Sequence, residues 1–272
     1  MKRHGDLLDS VRAAECPSGG IVFWWMGQHS FIVKAGSTVF LIDPYLSPSP
    51  ARRTPPLLTP DEVTFADYVL CTHDHGDHMD PGAIPGIAKA SPNAIFVASR
   101  VARQRMLNLG VDPKQLVSLD ADDILQMDNA RVTAIKAKHE LFDHDPTLGY
   151  PYLGFVVEAN NATLYHSGDC ITYDGLVRTL SEWLFDVVFL PINGRDARRL
   201  KANCLGNFTY QEAVDLAGDI KPRFAVPTHY DMFEFNSANP GDFVEYLHVK
   251  YPTIRTWVGE PGEPVFIPPA HG

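Results

Sequence analysis

The chain has 272 residues, enough for one large layered domain, and no linker, repeat or low-complexity tract divides residues 1–272. Its 33 acidic and 23 basic side chains give a formal net charge of -10, which disfavours a broad nucleic-acid surface, though not a local anion pocket, because backbone binding relies on clustered Lys and Arg. Met1-Lys2-Arg3-His4-Gly5-Asp6 leads into no apolar export segment, no run is long enough to span a bilayer, and Cys16, Cys71, Cys170 and Cys204 form no pairing framework, so a cytoplasmic protein without a membrane partner is expected.

Residues 1–17 are polar and read as a short helix or an arm. Gly20-Ile21-Val22-Phe23-Trp24-Trp25, Ser30-Phe31-Ile32-Val33-Lys34 and Thr38-Val39-Phe40-Leu41-Ile42 are short apolar or alternating runs, separated by Gly27 and by Ala35-Gly36, as consecutive strands would be. Trp24, Trp25 and Met26 read as core, or else as an apolar substrate wall. His29, in the turn Gly27-Gln28-His29, either reaches substrate or satisfies a backbone group. Asp43, at a strand end, is placed to orient a metal-bound histidine through the free ring N–H. The proline-rich stretch 47–60 carries Arg52 and Arg53 and reads as an ordered or mobile loop near a site. Thr59-Pro60-Asp61-Glu62 has the capping-box pattern of a helix start.

The apolar run Tyr68-Val69-Leu70-Cys71 is followed at once by Thr72-His73-Asp74-His75-Gly76-Asp77-His78-Met79-Asp80. Imidazole and carboxylate donors suit zinc, manganese or iron, and so dense a cluster leaves polar groups expensively unpaired unless a cation or water satisfies them. A strand entering the cluster would set His73 and His75 on one side, because alternate residues share a face. Asp77 and His78 follow in the turn, and Asp80 and Pro81 read as N-cap and first residue of a helix. Asp74 and Asp80 either support ligands or are structural. A solvated acidic loop that happens to hold histidines is the alternative.

Three later segments argue against that alternative. Ala130-Arg131-Val132-Thr133-Ala134-Ile135-Lys136-Ala137-Lys138 alternates like a half-buried strand and ends in His139. Ala162-Thr163-Leu164-Tyr165-His166-Ser167 runs into Gly168-Asp169, where glycine permits a sharp turn that aims the carboxylate. Phe224-Ala225-Val226-Pro227-Thr228 ends in His229. Each strand delivers one donor from its end. Cys71 and Cys170 flank these motifs and read as small packing residues.

His144 lies in a loop that either covers a site or is simply exposed. His166, inside a strand, reads as buried support. After the apolar strand Asp186-Val187-Val188-Phe189-Leu190 comes Asn193-Gly194-Arg195-Asp196-Ala197-Arg198-Arg199-Leu200-Lys201, the most basic stretch. Arg195, nearest the strand end, is the candidate for holding a substrate phosphate or carboxylate through bidentate donors; a surface or subunit contact is the alternative. Thr209-Tyr210-Gln211-Glu212 repeats the capping box. Tyr230 either donates to a developing oxyanion or packs in the core.

In their order, His73-x-His75-x-Asp77-His78, then His139, Asp169 and His229, these residues resemble the metallo-β-lactamase superfamily. The resemblance implies an α/β fold, a four-layer αββα sandwich of two facing mixed sheets with helices outside. The reading of strands alternating with helices agrees with it. It also implies two divalent ions, zinc, manganese or iron. His73, His75 and His139 would hold the first, Asp77, His78 and His229 the second, and Asp169 would bridge them. A water activated between the ions would be the nucleophile, so Asp77, His78 and Asp169 are the residues expected to carry catalysis.

Trp24-Trp25-Met26-Gly27, Leu41-Ile42-Asp43-Pro44-Tyr45, Leu164-Tyr165-His166-Ser167-Gly168-Asp169 and Pro227-Thr228-His229-Tyr230-Asp231 are similar to the branch containing L-ascorbate-6-phosphate lactonase. The expected activity is hydrolysis of a small anionic ester or lactone, with a sugar-phosphate lactone as the leading substrate. A phosphodiesterase acting on a small cyclic phosphodiester is the second reading, and a non-catalytic metal-binding scaffold the third. Homo-oligomerisation is a further expectation, since closed symmetric assemblies are common.

Overall fold

The computed structural model describes residues 4–270; the first three residues of the N-terminal segment lie outside the described residues. In chain order the elements are α1 (His4–Ala13), β1 (Ile21–Trp25), β2 (Phe31–Ala35), β3 (Thr38–Ile42), β4 (Tyr68–Leu70), α2 (Ile84–Ala90), β5 (Ile95–Ser99), α3 (Arg103–Asn108), β6 (Leu116–Leu119), β7 (Ile124–Gln126) and β8 (Ala130–Lys136). There follow β9 (Leu153–Ala159), β10 (Ala162–His166), α4 (Leu176–Leu180), β11 (Val187–Pro191), α5 (Ala197–Lys201), α6 (Tyr210–Ile220), β12 (Phe224–Thr228), α7 (Pro240–Lys250), β13 (Arg255–Thr256) and β14 (Pro264–Ile267).

The strands form two seven-stranded sheets, ordered β14-β1-β2-β3-β4-β5-β6 and β13-β12-β11-β10-β9-β8-β7. Both are mixed. β3 to β6 run parallel in the first and β10 to β13 in the second, while the remaining pairs are antiparallel.

β1 is apolar throughout because both of its faces are covered. Ile21, Phe23 and Trp25 face the second sheet, while Val22, Trp24 and Met26 meet Leu7 and Val11 of α1, Ile84 and Ile87 of α2 and Met106 of α3. Between the sheets, Phe189 of β11 contacts Phe23 edge-on at 5.2 Å and Phe31 at 4.2 Å. On the far side α6 packs on β11 and β12 and is itself covered by α4 and α7. The result is the four-layer αββα sandwich.

Two local expectations need correction. The helix expected at Asp80-Pro81 begins instead at Ile84: Asp80 accepts from Gly82 N at 2.9 Å and starts a turn, but Pro85 has no N–H to continue it as α-helix. The capping box at Thr59 forms, with Glu62 Oε2 accepting from Thr59 N at 2.7 Å, yet it starts only the single 3-10 turn Pro60–Glu62. Its counterpart at Thr209 opens the full helix α6.

Candidate metal centre

The cluster lies where β4, β8, β10 and β12 end. β4 stops at Leu70, so His73 and His75 are brought together by the turn that follows, not by strand alternation; His73 Nε2 and His75 Nδ1 lie 3.0 Å apart. His139 comes three residues after β8, Asp169 three after β10, and His229 directly after β12. Gly168 makes the sharp turn possible at φ +59°. A Cβ there would sit 2.4 Å from Leu153 O and 2.9 Å from Thr72 Cβ, so only glycine lets β10 turn against β9 and aim Asp169 inward.

Two groups of donors result. His73, His75, His139 and Asp169 form one and Asp77, His78 and His229 the other, each with donor atoms within 4.8 Å of one another. Asp169 reaches across. Its Oδ2 is 3.6 Å from His139 Nε2 and 3.4 Å from His229 Nε2, while Oδ1 is 3.4 Å from His78 Nε2.

Supporting contacts fix the rings. Asp43 Oδ2 lies 2.8 Å from His78 Nδ1 and accepts from Thr72 Oγ1 at 2.7 Å, and Thr72 Oγ1 lies 2.9 Å from His73 Nδ1. One carboxylate thus sets His78 directly and His73 through a hydroxyl, turning both Nε2 atoms inward. His139 Nδ1 lies 3.2 Å from Gly206 O. Gln28, Asp43 and His229 are non-glycine residues at φ +54°, +45° and +58°, so the backbone is strained at three positions around the centre.

The electrostatics differ between the groups. Burial drives His73 well below the usual histidine range and His139 down to about 4, so both rings stay neutral and keep a lone pair at neutral pH. Burial opposes charge on His78 and His229 too, but Asp169 and Asp77 outweigh it and raise both. Reciprocally, burial pushes Asp169 and Asp77 up while His78 and His229 hold them down. A divalent cation fits this donor set. His78 Nε2 and Asp169 Oδ1 are buried, lie 3.4 Å apart and have no hydrogen-bond partner, and a cation satisfies both.

The centre opens into a pocket of about 700 Å³, a small-molecule volume. Its walls include Tyr45, Phe233, Phe235, Cys204 and Leu205 beside His75, Asp77, His139, Asp169 and His229. The loop after β3 is held in place: the Arg52 guanidinium donates to Tyr45 O, Ser47 O and Thr54 O and stacks on the Tyr45 ring. Asp80 ties in Ser47 through its hydroxyl at 2.6 Å, a structural role, and Asp74 is exposed.

Three expected substrate contacts, Arg195, His29 and Tyr230, do not line the pocket. Arg195 is turned away: its guanidinium is bidentate with Glu212 at 2.6 and 2.7 Å, and it does not line the pocket. His29 is fully buried behind the centre, stacked on His166 at 3.8 Å, with Nε2 3.1 Å from Gly168 O. Tyr230 packs on Trp25 at 5.1 Å, because the left-handed backbone at His229 turns the next side chain into the core. His166 is buried support, His144 is exposed, and Cys71 and Cys170 are buried outside both donor groups. Trp24, Trp25 and Met26 are core.

Sequence reasoning passed over Gln28, Thr72 and Tyr152. Gln28 Nε2 donates to Asp77 Oδ2 at 2.7 Å, and Tyr152 stands 5.2 to 5.8 Å from the rings of His73, His75 and His139. The signal for Gln28 was the turn at Gly27, which places one of its next two side chains at the centre.

Residues 38–230 match the beta-lactamase superfamily domain. A UPF0173 protein of Pyrococcus furiosus is 29% identical over 234 residues, covering 86% of this chain and 92% of that protein. A UPF0173 metal-dependent hydrolase of Carboxydothermus hydrogenoformans is 29% identical over 252 residues, covering 89% and 98%. Among solved structures, Igni18, a metallo hydrolase of Ignicoccus hospitalis, superposes with a TM-score of 0.72 at 22% identity, covering 91% of this chain and 98% of that one. That last likeness speaks for the fold alone.

Proposed function

The chain belongs to the beta-lactamase superfamily, and on that premise we propose that it is a metal-dependent hydrolase that works with two divalent ions on a small anionic ester or lactone. The observation that carries this reading is the position of Asp169, whose carboxylate faces His139 of one donor group and His78 and His229 of the other. His73, His75 and His139 would hold one ion, Asp77, His78 and His229 the second, with Asp169 common to both. Bound there, such ions supply hydroxide at neutral pH and polarise the scissile bond.

The chain's own residues do the rest. Asp43 and Thr72 keep the ligand rings oriented, and Tyr45, Phe233 and Phe235 give the pocket an apolar wall. Tyr152, whose phenol burial pushes up to about 12, stays a neutral donor beside the first group. The anion contact that Arg195 does not supply has another candidate. A second cleft shares Phe233 and Phe235 with the pocket and is lined by Arg52, Arg53 and Arg198. This favours a substrate with a phosphate or carboxylate at one end, and the leading candidate remains a sugar-phosphate lactone such as L-ascorbate 6-phosphate.

The test is a substrate panel with zinc- and manganese-loaded protein: sugar-phosphate lactones, aryl esters and a small cyclic phosphodiester. The reading requires turnover of a lactone or ester. Turnover of the phosphodiester alone moves the chemistry to phosphorus, and no turnover of any member supports the scaffold.

A further inference from the structure

Gln28 is fully buried, held at φ +54° by the turn after β1, and its carboxamide reaches into the Asp77, His78 and His229 group. The amide nitrogen lies 2.7 Å from Asp77 Oδ2 and 3.0 Å from His229 Nε2. These are the two atoms that face the other donors: Asp77 Oδ2 is 3.7 Å from His78 Nε2, and His229 Nε2 is 3.4 Å from Asp169 Oδ2. Two atoms that each ligate one ion at about 2.1 Å sit roughly 3 to 3.5 Å apart. One end of the Gln28 amide therefore stands at the spacing of a further ligand.

The amide nitrogen has no free lone pair, and its two N–H groups repel a cation. The carbonyl oxygen is an acceptor with two lone pairs, and Gln28 Oε1 is buried without a hydrogen-bond partner. A half-turn about the last side-chain torsion exchanges the two ends, relieves the buried acceptor and points oxygen where nitrogen stands. We propose that Gln28 is a metal ligand, coordinating through Oε1 the ion held by Asp77, His78 and His229. The inference rests on the two-ion reading above.

The alternative is that Gln28 serves only as a donor to Asp77, and the two roles respond oppositely to substitution. Glu in place of Gln keeps an oxygen for the ion but sets a second carboxylate against Asp77; Ala removes both functions. Metal-free protein is titrated with cobalt(II), following the visible d–d bands and the stoichiometry, with thermal melts confirming that each variant folds. Coordination predicts two equivalents for the wild type, at least tenfold weaker second-ion binding with altered bands in Gln28→Ala, and recovery in Gln28→Glu. Unchanged second-ion binding in Gln28→Ala, or weaker binding in Gln28→Glu than in Gln28→Ala, overturns it. A wild type that takes up fewer than two equivalents removes the two-ion reading itself, whereas two equivalents with an indifferent Gln28→Ala removes this inference alone.

Discussion

The carboxylate of Asp43 meets Nδ1 of His78 at 2.8 Å, both side chains fully buried, and so decides which His78 nitrogen faces the metal centre. The same carboxylate accepts from Thr72 N and Thr72 Oγ1 at 2.7 Å, and the hydroxyl in turn meets His73. Asp43→Asn replaces an acceptor by an N–H group that opposes one of these donors. Removing such support costs about 10- to 100-fold in metal affinity. Competition titration against a chelator should give a loss of that size; wild-type affinity would remove Asp43 from the account.

Gly168→Ala tests the turn that aims Asp169. The added methyl would meet Leu153 O at 2.4 Å, at a φ of +59° that side chains disfavour. Denaturation of the metal-free protein should register a loss of roughly 1–3 kcal/mol, and the metal content after purification should fall with it. A variant as stable and as metal-replete as the wild type would contradict this geometry.

The arginine-lined cleft predicts a split in kinetic constants. Arg100, Arg131, Arg195, Arg199 and Arg223 are ion-paired, whereas Arg52, Arg53 and Arg198 have no ion-pair partner among the described residues. Arg53 and Arg198 are exposed, so Arg53→Gln with Arg198→Gln should fold normally. KM for a phosphorylated substrate should rise about tenfold, ~1.4 kcal/mol, with kcat nearly unchanged. Equal KM values for the variant and the wild type would place the anion elsewhere.

Acid should destabilise the protein partly through the stacked pair His29 and His166. Burial lowers both pKa values below the usual histidine value, His29 the further, so below about 6.5 the unfolded chain binds more protons than the folded one. Their contribution to stability is therefore present at neutral pH and is lost as pH falls through the unfolded value. His166→Gln should flatten the fall in stability between about pH 6.5 and 5; an unchanged slope would show that the pair does not carry it.

The donor groups were legible because the chemistry is local: each donor follows a strand of readable pattern, and three histidines crowded into six residues beside two carboxylates are costly to bury unless a cation satisfies them. The layers were legible for a similar reason, since β1 and β3 are apolar on both faces and α6 carries its own capping box. The side chains lining the pocket and its neighbouring cleft were not, because their placement depends on pairings between distant segments. Glu212 was readable as a capping residue, but nothing local says that its carboxylate also receives Arg195. His29 drew attention as a histidine, yet the left-handed turn gives the centre to Gln28. The cleft of Arg52, Arg53 and Arg198 joins segments far apart in the chain.

The most direct measurement is loss of the ultraviolet absorbance of L-ascorbate 6-phosphate, with metal-stripped, zinc-loaded and manganese-loaded wild type beside His75→Ala. Lactone opening exchanges the ionised, conjugated enediol of the substrate for a carboxylate, so no net proton is released and turnover is read as loss of the enediolate's ultraviolet absorbance. Turnover is expected only from metal-loaded wild type, with at least a 100-fold loss, ~2.7 kcal/mol, in His75→Ala. Equal turnover by stripped protein or by His75→Ala, or none by either loaded form, would contradict a metal-dependent lactonase.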